Sequence, residues 1–115
     1  MIAAVAILAR APRPGHAKTR LTPPYTAEAA ARVARACLVE TLRRFPPATS
    51  VPFTLFLDGA PDDALLGLAR AAGVAIAPQG DGDLGARLAA AFRSLRARGA
   101  EAVVAIGADS PTLDP

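Results

Sequence analysis

In AAVAILARAPRPGHAKTRL, residues Ala3 to Leu21, an unbroken apolar run gives way to a segment crowded with two prolines, a glycine and cations. The run from Ala3 to Leu8 is too short for a core helix and has no polar alternation. It reads as a strand covered on both faces, which is the pattern of a parallel sheet. A secretory signal is the competing reading, since Ala9-Arg10-Ala11 resembles a cleavage site. No basic residue precedes the run, so the strand reading is preferred.

Working outward, three more short apolar runs repeat the theme. They are Phe53 to Leu57, Val74 to Ala77 and Ala102 to Ile106, each bounded by glycine, proline or aspartate. Helical periodicity fills the intervals. Thr26 to about Phe45 places Ala30, Val33, Ala34, Cys37, Leu38, Leu42 and Phe45 on one stripe, with Thr26 as N-cap and Pro46-Pro47 as stop. Asp62 to Ala72 carries Leu65, Leu66 and Leu68 and ends at Gly73. Asp83 to Arg98 groups Leu84, Leu88, Ala91, Phe92 and Leu95, with Gly99 as terminator. The order β-α-β-α-β-α-β predicts an α/β fold: an open, mainly parallel, Rossmann-like sheet of about four strands, order 3-2-1-4, with helices on both faces.

Bulk properties agree. The chain has 115 residues, 52% of them apolar and 20% charged, which suits one globular domain spanning 1–115. The net charge is only +3, and the four Phe and one Tyr are not interleaved with cations, so a nucleic-acid binder is disfavoured. No apolar run reaches membrane-spanning length. The protein is expected to be cytoplasmic, with no nucleic-acid or membrane partner. Cys37 stands alone, which excludes an internal disulfide; it reads as a small buried hydrophobe rather than a reactive thiol.

Ligands of open α/β sheets bind beyond the carboxyl ends of the strands, so the segments that follow each strand hold the candidate chemistry. After the first strand come Arg10, Arg13, His16, Lys18 and Arg20. Their mutual repulsion changes sign if an anion sits among them. The prolines stiffen the loop, and Gly15 allows close backbone approach or a positive φ. Lys18 suits a phosphate as a point charge and Arg20 as a bidentate fork. The arrangement reads as a polyphosphate cradle, without the Walker A spacing, or as a solvated arginine-rich loop. After the third strand, QGDGDLG offers Gln79 to read a base edge, glycines for close approach, Asp83 most simply as N-cap, and Arg87 aimed at the same rim. Asp58, after the second strand, reads as a turn residue. Asp109, after the fourth, is either a ligand for a divalent cation or the cap of an Asx turn; Asp114 is a possible helper.

Three motifs, PRPGHAKTRL, QGDGDLGARL and AIGADSPTL, taken in this order and spacing, resemble the radical-SAM/selenodomain-associated transferase 1 family. That resemblance implies a GT-A-like nucleotide-diphospho-sugar transferase fold. It implies a nucleoside triphosphate or nucleotide sugar at the loop bearing Lys18 and Arg20, with Mg²⁺ or Mn²⁺ near Asp109. The implied reaction is glycosyl or nucleotidyl transfer to an acceptor. The nucleotide- or phosphate-binding set is then Arg10, Gly15, Lys18, Arg20, Gln79, Asp83 and Arg87. The family continues beyond the DSP motif into an acceptor-side half with a DGGY motif, whereas this sequence stops at Pro115. The expectation is a nucleotide-binding half without the acceptor half. The alternative is a catalytically inactive nucleotide-binding or assembly fragment. With the order 3-2-1-4, the run Ala102 to Ile106 is an apolar edge, which predicts a homodimer or aggregation through it.

Overall fold

A computed structural model describes residues 3–15, 25–46 and 50–107. Its elements are β1 (Ala3–Arg10), α1 (Ala27–Arg44), β2 (Phe53–Asp58), α2 (Asp63–Ala72), β3 (Ala75–Pro78), α3 (Leu84–Ala97) and β4 (Ala102–Gly107). The strands form one parallel sheet in the order β3-β2-β1-β4, the expected topology.

Capping chemistry sets the helix starts. Thr26 Oγ1 accepts from the Ala29 N–H at 3.1 Å, Asp62 Oδ1 from Leu65 at 2.8 Å and Asp83 Oδ1 from Ala86 at 2.8 Å. Each cap of this kind stabilises by about 1 kcal/mol. Gly73 ends α2 in the left-handed region, at φ 72°, where a Cβ would be strained.

The helices lie on both faces of the sheet, and the two faces are unequal. Over one, α1 and α2 bring Leu38, Leu42, Phe45 and Leu65 onto Ile7, Phe53, Leu55 and Leu57. Over the other, α3 brings Ala91 and Leu95 onto Ala4, Ala6 and Phe56. Burial of each large aliphatic side chain contributes roughly 1.5–3 kcal/mol, so the first face carries most of the stabilisation.

Several sequence expectations are corrected. Strand β1 runs two residues past Leu8, because Ala9 and Arg10 pair in register with Leu57 and Asp58. Val74 precedes β3 and packs in the core as a connector. The stripe of α1 is rotated: Val33 is 45% exposed, Cys37 is only half-buried, and Ala31 and Thr41 are buried instead. Thr41 tolerates this because its hydroxyl donates to Cys37 O at 2.8 Å, so no polar atom is orphaned. Leu84, expected on the packed stripe of α3, is 65% exposed; burial along that helix falls on Ala91 and Leu95, two and three turns further on. Among the described residues no helix is long and apolar enough to cross a membrane.

Candidate functional site

The carboxyl ends of β1, β2 and β3 form one rim. Arg10, the last residue of β1, is the register partner of Asp58, the last residue of β2. The Ala11 N–H extends this pairing by donating to Asp58 O at 2.8 Å, and Ala11 itself is buried. Beside them, the Gln79 N–H donates to Leu57 O at 3.2 Å, which brings the start of the glycine loop onto β2.

Side chains knit these ends together. Gln79 is almost fully buried, and its Nε2 donates to Ala9 O at 2.9 Å and to Phe56 O at 3.1 Å. Its Oε1 accepts from Arg87 Nη1 at 3.2 Å. The same Nη1 donates to Asp58 Oδ2 at 2.9 Å, and Arg87 Nε donates to Gly82 O at 2.9 Å. Arg10 Nε lies 3.9 Å from the same Asp58 oxygen. One carboxylate is therefore bracketed by two guanidiniums, and the three groups sum to one positive charge.

The local sequence explains why the loop can reach. Between Gln79 and Asp83 the chain turns through two glycines with positive φ, Gly80 at 86° and Gly82 at 100°. Gly82 is the more constrained: a Cβ there would lie 2.9 Å from the Ala86 Cβ, on the first turn of α3. That close approach lets Gly82 O meet the Arg87 side chain one turn along.

Most of the expected residues that lie among those described come to this rim. Arg10, Gln79 and Arg87 are in the network. Asp83 caps α3, as the simplest reading had it. Gly15 turns at φ 76° in the segment after β1. His16, Lys18, Arg20, Asp109 and Asp114 lie outside the described residues. Gln79 differs from the base-reading expectation in one respect: both its amide donors and its carbonyl are bonded to the protein. Asp58 is more than a turn residue, since its carboxylate anchors Arg87. The signal in the sequence is an acidic residue at the carboxyl end of an apolar run; that it stands level with Arg10 comes from the strand register.

Beside the rim, between α2 and the edge strand β3, is an open apolar depression of about 330 Å³ lined by Leu57, Pro61, Leu66, Ile76 and Pro78 among others. Among the described residues no three His, Cys, Asp or Glu side chains are grouped to hold a metal ion. The one carboxylate in the network, Asp58, is engaged by arginine.

No curated protein matches the chain. A solved structure from Desulfovibrio desulfuricans G20, described as a "putative nucleotide-diphospho-sugar transferase", superposes with a TM-score of 0.80 at 24% identity. The match covers 99% of this chain and 50% of that one, so the chain spans half the length of this structural relative. Together with the strand order, this shows a GT-A-like fold. Residues 41–115 match the family described as "Uncharacterized protein conserved in bacteria (DUF2064)", and the chain belongs to that family.

Proposed function

We propose that the chain is a single nucleotide-binding unit, residues 1–115, of a GT-A-like transferase, and that it binds a nucleoside triphosphate or nucleotide sugar. The reaction served is glycosyl or nucleotidyl transfer to an acceptor, in the manner of the radical-SAM/selenodomain-associated transferases that the motifs resemble. The observation that carries this reading is the convergence of Arg10, Asp58, Gln79 and Arg87 at the carboxyl rim of a sheet with this strand order. A net positive rim, followed in sequence by the further cations Lys18 and Arg20, suits a diphosphate, with each charge-assisted hydrogen bond contributing about 1.5–3 kcal/mol. In this reading Lys18 and Arg20 hold the phosphate oxygens, and Arg10 and Arg87 add positive potential. Asp109 is the proposed ligand for Mg²⁺ or Mn²⁺, whose charge, when bound, offsets that gathering on the leaving diphosphate. The described residues do not compose a metal site by themselves, so the metal proposal rests on Asp109.

Isothermal titration with CTP, GTP and UDP-sugars, with and without Mg²⁺, tests the binding claim. Saturable binding that weakens in Lys18→Ala and Arg20→Ala is expected. Silence toward every nucleotide refutes it. A second reading, binding without turnover, is favoured by one observation: no carboxylate or histidine in the described rim is placed as a general base, because Asp58 is committed to Arg87. A transfer assay that yields product removes that reading.

We also propose that β4 pairs with β4 of a second copy. Among the described residues β4 is an edge strand, and Val104, on the same face as Val5 and Ile106, is 58% exposed.

A further inference from the structure

We propose that Asp58 is a positioning residue: it fixes the Arg87 guanidinium so that Nη2 is presented at the rim to an oxyanion of the bound ligand. The inference rests on the proposed nucleotide or diphosphate ligand and assigns a role to a residue that the phosphate-loop reading leaves out.

A guanidinium is planar and carries five N–H donors. In Arg87 the Nε donor goes to Gly82 O, and the Nη1 donors go to Asp58 Oδ2 and Gln79 Oε1. Fixing both of these nitrogens fixes the direction of the third. Among the described residues no acceptor meets Nη2, and the side chain keeps 25% of its surface exposed. The anchors are themselves rigid. Asp58 is held by the β1–β2 pairing, and Gln79 is tied to the backbone of both strands. Two donors on a charged group are thus aimed without further loss of side-chain freedom, which is the structural content of preorganisation.

Gln79 belongs to the same device. Its amide is committed to Ala9, Phe56 and Arg87, so it supports the guanidinium rather than reading a base. Recognition at this corner of the rim is therefore of a phosphate oxygen and not of a base edge.

The proposal opposes simple charge counting. Removing a carboxylate from a cationic rim should strengthen anion binding if Asp58 acts only through its charge. If Asp58 aims Arg87, its removal should weaken binding. Titration of inorganic pyrophosphate into the full chain, with and without Mg²⁺, separates the two. We expect Asp58→Ala to weaken pyrophosphate binding about tenfold, the worth of one misdirected charge-assisted bond. Arg87→Lys, which keeps the charge but loses the fork, should weaken it by a similar factor, and the double variant no more than either single one. Asp58→Leu, which fills a similar shape without an acceptor, serves if the alanine variant does not fold, and its loss should be in the same direction. Binding that is unchanged or tighter in the Asp58 variants overturns the proposal. So do losses that multiply in the double variant. If the wild-type chain binds neither pyrophosphate nor any nucleotide, the proposed function falls and this inference with it. If it binds them without regard to Asp58, this inference alone falls.

Discussion

Replacing Gln79 with leucine separates a structural amide from a base-reading one. The wild-type side chain makes two donor bonds, to Ala9 O at 2.9 Å and Phe56 O at 3.1 Å, and accepts one from Arg87 at 3.2 Å. A neutral hydrogen bond contributes about 1 kcal/mol net, and one to a charged partner about 1.5–3 kcal/mol. Leucine occupies a similar volume and returns about 1 kcal/mol through its apolar surface. The balance is a loss of about 2.5–4 kcal/mol, a sizeable share of the 5–15 kcal/mol typical of a domain. At roughly 3–6 °C per kcal/mol for a chain of this size, Tm should fall by about 15 °C. Thermal and urea denaturation of the ligand-free protein measure this, and an unchanged m-value confirms that the native state stays compact. A base-reading glutamine would behave otherwise. Its loss would leave the free protein as stable as before and alter only the preference among nucleotides. A Gln79→Leu variant that melts within about 1 °C of wild type would refute the structural assignment.

Other substitutions probe the loop, a cap and the sheet edge. Gly82→Ala should destabilise more than Gly80→Ala, because both carry the cost of a positive φ, about 1 kcal/mol or more, but only Gly82 also drives a Cβ to 2.9 Å from Ala86; parallel denaturation curves give the order. Asp62 has its carboxyl held below its ordinary value of 3.8, first by the Leu65 N–H and then by Arg35. A depressed folded pKa contributes stability above the unfolded value and loses it as pH falls through the folded one. The stability gap between wild type and Asp62→Asn should therefore be flat at neutral pH and close only below 3.8, as followed by urea midpoints across pH. Val104→Lys places a charge on the exposed edge; sedimentation velocity should show loss of the β4-paired dimer with monomer stability changed by no more than about 0.5 kcal/mol. A wild-type chain that sediments as a monomer at every concentration removes the dimer proposal.

The backbone was more legible in the sequence than the rim. Strand and helix identities follow from short-range rules: continuous apolar runs, helical periodicity, Thr26 and Asp83 as caps, Gly73 as terminator. Each needs only a few neighbouring residues to act. The errors lie where distant segments decide. The stripe of α1 departs from its hydropathy pattern at Val33 and Thr41, because hydropathy ranks valine above threonine and takes no account of a hydroxyl satisfied by its own helix. Leu84 has the right spacing for burial, but it opens α3, and the residues that pack on the sheet come later in the helix. Asp58 reads locally as a turn. Only the register that sets it level with Arg10, and the return of α3 that brings Arg87, make it an anchor. Gln79 lies on the rim, as its place just after β3 suggests, but an amide in a glycine-rich loop carries no local sign of whether it faces a ligand or the sheet.

The rim also bears on how binding and folding are coupled. Arg10, Asp58, Gln79 and Arg87 sit on or next to four different elements, β1, β2, β3 and α3. Apart from the local Gln79–Arg87 bond, their mutual contacts join segments far apart in the chain and need the paired sheet, so the complete site exists only in the native state. A ligand that binds this rim therefore has little to hold in the unfolded chain, and its free energy appears as stability: about 2.7 kcal/mol at a hundred times its Kd. The argument also runs in reverse. Because Gln79 and Arg87 tie the glycine loop to the sheet, weakening the network should loosen the loop before it loosens the core, which rests on Leu42, Leu55 and Leu57 on the α1–α2 face. The order follows from the kinds of interaction involved. Loop closure depends on a handful of directional bonds at a partly exposed rim, whereas the core depends on many contacts that no single substitution at the rim removes.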